Sequence, residues 1–133
     1  MIAVDTNALL SWLMADTLPA EDAPQTAAIA AALDDEAATV FVSTVVMAEL
    51  VWVMRCRAKL DRRQTAELVS RIMADPRIVV QQAKTCACYA IGDSRFVDHL
   101  IGQIVLPKGA RTTLTFDRGA GRLPTFTLLA TGG

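Results

Sequence analysis

The stretch MIAVDTNALL, residues 1–10, decides the fold, because it sets a polar triplet between two apolar runs of different character. Residues 1–4 read as a short buried strand and residues 8–13 as an apolar run of helical character, so Asp5, Thr6 and Asn7 stand where a strand passes into a helix. Two readings of the triplet compete. Each of the three residues is a good N-cap and would satisfy the free amides of the next helix. Alternatively, the carboxyl ends of the strands in an open α/β sheet border the ligand crevice, and an acid directly after the first strand points into it.

Working outward, the alternation continues. Residues 15–24 form a loop, and Pro24 lies in the first turn of a helix that runs to about residue 35. The β-branched TVFV, residues 39–42, is a second strand, followed by a long helical segment over 43–57. Asp61 and Gln64 have capping-box spacing and start another helix that stops near Asp75-Pro76. RIVV, residues 77–80, is a third strand, residues 82–90 read as helix, and residues 92–94 as a break and cap before a helix over 95–105. RTTLTF, residues 111–116, is a fourth strand ending at Asp117, and residues 119–129 give a Gly-rich loop and a fifth strand. Strands separated by helices of this length imply right-handed crossovers and a parallel sheet covered by helices on both faces.

The chain has 133 residues, 53% of them hydrophobic, and a mean hydropathy of +0.35, which predicts one domain over residues 1–133 with a real core. No apolar run reaches the roughly 18 residues a membrane span needs. The odd number of cysteines, Cys56, Cys86 and Cys88, and the lack of a signal-peptide n-region predict a reduced, cytoplasmic setting. Cys86-Ala87-Cys88 is too closely spaced for a zinc knuckle and has no second pair, so the cysteines read as small core residues. Charge is uneven: residues 1–54 hold eight acids and no Lys or Arg, whereas residues 55–133 hold six acids and all thirteen bases. That asymmetry fits either a polyanionic partner or an acidic and a basic face on one domain. The densest basic stretch holds Arg55, Arg57, Lys59, Arg62 and Arg63, open to phosphate contact or to plain solvation.

Four acids each interrupt an apolar stretch: Asp5 after the first strand, Glu49 in STVVMAELVWVM, Asp98 in RFVDHLIGQIV, and Asp117 after the fourth strand. A carboxylate buried among apolar residues is expensive unless it finds a partner. If the four converge, each like-charged pair about 4 Å apart costs on the order of 4 kcal/mol at an effective dielectric near 20. A divalent cation removes that repulsion, and an all-oxygen ligand set selects a hard ion, Mg²⁺ or Mn²⁺, that keeps waters and completes its shell with substrate phosphate. Acids and such an ion suit phosphodiester hydrolysis. His99 follows Asp98 on a helix and so points about 100° away from it.

VDTNALL, STVVMAELVWVMRCR, SRFVDHLIGQIV and LTFDR, in that order and spacing, resemble the successive motifs of PIN-domain proteins, in particular the VapC-like toxin ribonucleases of bacterial toxin-antitoxin pairs. The resemblance implies a three-layer α/β/α sandwich with a central parallel sheet of four to five strands. It implies that Asp5, Glu49, Asp98 and Asp117 are the catalytic, metal-binding acids, with Thr6, Asn7 and Thr115 as polar neighbours. It also implies a metal-dependent endoribonuclease that inhibits translation or growth, paired with a small antitoxin whose helical tail wraps it; on physical grounds, the cheapest competitor for the ion in a cluster of acids is an Arg or Lys delivered by such a tail. The family often places another acid just ahead of the third motif; here Asp93 stands five residues before Asp98, as a cap or as a support to the cluster. Val51, Trp52 and Met54 put apolar surface on more than one face of their helix, which predicts a homodimer, as the resemblance does.

Rival classes fare worse. A haloacid-dehalogenase-type phosphatase needs a second Asp where Asn7 stands, and no G-x-G-x-x-G follows the first strand, as a dinucleotide-binding domain would require. A non-catalytic RNA-binding module of the same fold remains the alternative, because fold alone does not prove chemistry.

Overall fold

A computed structural model describes residues 1–15, 20–34, 39–92 and 95–130. Asp93, the predicted cap or support to the cluster, lies outside the described residues. The order is β1 (Ile2–Ala3), α1 (Thr6–Leu13), α2 (Ala23–Asp34), β2 (Val40–Val42), α3 (Thr44–Trp52), α4 (Arg62–Ala74), β3 (Ile78–Val80), α5 (Ala83–Ala90), α6 (Phe96–Ile104), β4 (Thr113–Thr115) and β5 (Phe126–Leu128).

Local chemistry explains the boundaries. The Asp5 carboxylate accepts the Ala8 amide at 2.8 Å and caps α1, so the capping reading of the opening triplet holds. Asp61 and Gln64 close a reciprocal capping box at the start of α4. Ser43 caps α3 through the Val46 amide, while the Gln81 side chain, just past β3, accepts the Thr44 amide at 2.9 Å and ties two strand ends together. The predicted helix over 43–57 does not stay α-helical: Val53–Arg57 form a π-helical turn, closed by a bond from the Leu60 amide to the Met54 carbonyl with Lys59 at φ 54°.

The strands are parallel, as expected, but they make two ladders rather than one sheet of four to five strands. β2 lies between β1 and β3, with Val40 opposite Ile2 and Ile78. β4 pairs with β5 alone, Thr113 opposite Phe126. β1 offers only two residues to pairing, so its far edge has one or two ladder groups for a further strand. Close packing holds β5 instead, because a side chain at Gly102 of α6 would strike Thr125 and Phe126.

The core surrounds β2. Val40 and Val42 are buried with Leu9 of α1, Met47 and Leu50 of α3, Val69 and Ile72 of α4, and Tyr89 of α5, whose ring meets Phe96 of α6 at 5.0 Å. Of the cysteines, Cys86 alone joins this core; Cys56 and Cys88 are exposed, against the expectation that all three are core residues, because each sits on an outward helical face. Burial pushes the Cys86 thiol up to about 11. Among the described residues, no helix is long and apolar enough to cross a membrane.

Candidate active site

Two of the four predicted acids come together, and an arginine joins them. Arg95 precedes α6, Asp98 lies in the first turn of that helix, and Asp117 stands two residues past β4. Arg95 Nη1 donates to Asp98 Oδ2 and to Asp117 Oδ2, each at 2.8 Å. The guanidinium reaches this position across Gly119, where any Cβ would collide with it. Asp117 is itself fixed: its Oδ1 accepts the Gly119 amide at 2.9 Å, and its own amide donates to Thr115 Oγ1 at 3.0 Å. The Gly119 amide, helped by the Arg95 guanidinium, holds the Asp117 carboxyl below its usual range, and both carboxylates hold Arg95 above its own.

Among the described residues, Asp5 and Glu49 do not complete the pair into a metal-holding group of three or more. Asp5 is exposed and engaged in capping; with Asn7, Ser11 and Ile29 it borders a separate cavity of about 360 Å³ between α1 and α2. Thr6 is buried in the first turn of α1. Glu49 is exposed on α3, on a face it shares with the exposed Val45 and Trp52. Among the described residues, no three His, Cys, Asp or Glu side chains converge closely enough to hold a metal ion. The expectation that each acid is buried in apolar surroundings is corrected: the apolar neighbours of Glu49 in sequence are themselves partly at the surface, Asp5 and Asp117 are exposed, and Asp98 is half-buried. His99 is half-buried on α6.

A cavity of about 410 Å³ opens beside the acid pair. Arg55 and Arg95 supply positive charge, Val51, Phe96 and Val97 an apolar wall, and Tyr89 lines it from the core. The basic stretch therefore divides. Arg55 faces this cavity, whereas Arg57 lies over Trp52 at 5.9 Å, Arg62 over Tyr89 at 5.6 Å, and Arg63 pairs with Glu67 on the surface. Arg95 is the functional residue that sequence reasoning missed; its spacing of three from Asp98, which puts the two on one helical face, was the available signal.

Two carboxylate oxygens at one distance from one cationic nitrogen mark a cation position. Mg²⁺ is commonly held by one or two carboxylates with waters and substrate phosphate, so Asp98 and Asp117 fit a hard divalent ion even without Asp5 and Glu49.

Fold and site together define a mixed α/β protein with parallel strands and paired acids at a strand end and a helix start, the class in which nucleases are found. A family model, PIN domain, matches residues 2–124, and the chain belongs to the PIN domain family. PIN domains are typically metal-dependent nucleases, which points to nuclease-type activity in general. Comparison with curated proteins and with solved structures gave no match.

Proposed function

We propose that the chain is a Mg²⁺-dependent endoribonuclease, with Mn²⁺ able to substitute, and acts as the toxin of a toxin-antitoxin pair in the cytoplasm. The observation that carries this reading is the cation position between Asp98 and Asp117, bordered by a groove with two arginines. In the proposal these two acids hold the ion, which when bound lowers the pKa of an attacking water and neutralises charge on the scissile phosphate. Gly119 and Thr115 keep Asp117 in place, and Arg55 draws the RNA backbone toward the groove. Asp5 and Glu49 would serve as further oxygen donors to the ion, with Thr6 and Asn7, in the first turn of α1, as the polar neighbours of Asp5. Of the residues expected to form the dimer surface, Val51 and Met54 are buried and Trp52 alone is exposed, so in the proposal a homodimer or an antitoxin covers instead the apolar stripe of Val97, Ile101 and Ile104, exposed at helical spacing along α6.

One observation favours the second reading, RNA binding without cleavage: Arg95 already supplies the cation that the acid pair demands. Incubation with total cellular RNA separates the two. The nuclease reading expects discrete fragments with Mg²⁺ or Mn²⁺, none with EDTA, and at least about a 100-fold loss of rate in Asp98→Asn with an unchanged thermal melt. Binding with no fragments at any metal concentration would leave the binding module.

A further inference from the structure

We propose that Arg95 couples cation loading to RNA binding. Resting on the nuclease reading above, the inference adds how its site is regulated. One guanidinium nitrogen touches both carboxylates, so a divalent ion can take that place only by displacing Arg95. The cost of displacement depends on where the guanidinium goes next. On one side Gly119 leaves no room for further retreat. On the other lies the groove that Arg95 already lines, with Arg55 as a second cation.

Two cations facing one groove repel each other and attract a phosphodiester, which accepts a guanidinium fork as well as a carboxylate does. The groove has further marks of a ligand site. Val51, Phe96 and Val97 give it an apolar wall suited to a base, and the Tyr89 hydroxyl, in a side chain 1% exposed, has no hydrogen-bond partner among the described residues. An RNA phosphate in the groove draws Arg95 off the acid pair and frees both carboxylates for the ion. Without RNA, Arg95 offsets one of the pair's two negative charges and occupies the position between them, which leaves the ion weakly bound. Linkage makes the effect reciprocal, so the ion tightens RNA as RNA tightens the ion.

Two measurements on Arg95→Gln test this: Mn²⁺ affinity without RNA by electron paramagnetic resonance, and affinity for a labelled single-stranded RNA decamer in EDTA by fluorescence anisotropy. The expected result has opposite signs, Mn²⁺ about tenfold tighter and RNA several-fold weaker. A merely misfolded variant weakens both. Gly119→Ala, whose φ of −67° suits alanine, pushes the guanidinium aside with Arg95 intact and should also tighten Mn²⁺. If wild type and both variants bind Mn²⁺ equally while the wild type cuts RNA, the coupling is refuted and the nuclease reading stands. If none of them binds Mn²⁺ at millimolar concentration, both fall.

Discussion

β2 and β4 are parallel strands of three residues each, yet they live in different surroundings. Val40 and Val42 of β2 are 1% and 0% exposed, with a partner strand on either edge, whereas Leu114 at the middle of β4 is 61% exposed and its strand has β5 alone. The first ladder is where the chain invests its apolar burial. The second positions Asp117 and the Gly119 turn against Arg95, and it is held by close contacts at glycines more than by a buried face. Stability and candidate chemistry thus sit on separate ladders, and a substitution in one should leave the other largely untouched.

The sharpest way to break this division is to cut each side in turn. Leu50→Ala, beneath β2, should cost about 3 kcal/mol by denaturant unfolding. Leu114→Ala should cost less than about 0.5 kcal/mol. Equal losses would mean that the second ladder is as much a part of the core as the first.

A smaller effect compares the two arginine bridges. Arg77 makes paired contacts with Asp75, at 3.1 and 2.8 Å, and lies over the Trp12 ring at 4.6 Å, so it clamps the turn before β3 onto α1. Arg77→Ala should cost about 1 kcal/mol, most of it from the stacked ring because the pair is solvated. The pair has a pH signature. The Arg77 side-chain bond holds the Asp75 carboxyl below its usual range, so its stabilisation is complete above the unfolded value and is lost as pH falls through the lower folded one. The Asp75→Asn penalty should therefore be present at neutral pH and fade below about pH 4. A penalty constant from pH 7 to 2 would show that the side chain's shape, not its charge, holds the turn.

The smallest effect is a gain. Lys59 is held at φ 54° where the π turn ends with the backbone closure from Leu60 to Met54, a position that favours glycine. Lys59→Gly should raise stability by about 0.5 kcal/mol, the strain relieved less the extra freedom of the unfolded chain. A loss would place the lysine side chain in a stabilising role.

Much of the architecture was legible from local signals. The capping box at Asp61 and Gln64 marks the α4 start to the residue, and the alternation of β-branched runs with helical ones gives every strand, because both signals lie within a few residues of sequence. The candidate site was half legible. Asp98 and Asp117 could be picked out, but Arg95 meets Asp117 across 22 residues, through a contact that only a glycine at 119 permits. The burial inferred for the acids failed for a related reason. Apolar neighbours in sequence do not bury an acid unless they face inward, and around Glu49 the residues that share its face, Val45 and Trp52, face out. The split of the sheet was equally hidden, since strand length at β1, not its composition, limits how many partners it can hold.

The three thiols differ in a way that turns the chain into its own timepiece. With its thiol at about 11, Cys86 is ionised in roughly one molecule in ten thousand at neutral pH, and its sulfur is walled off by α5 and the core. An alkylating reagent consumes Cys56 and Cys88 first and reaches Cys86 only when α5 lifts away. The slow third modification therefore clocks the opening of the core, and does so without any label added to the protein.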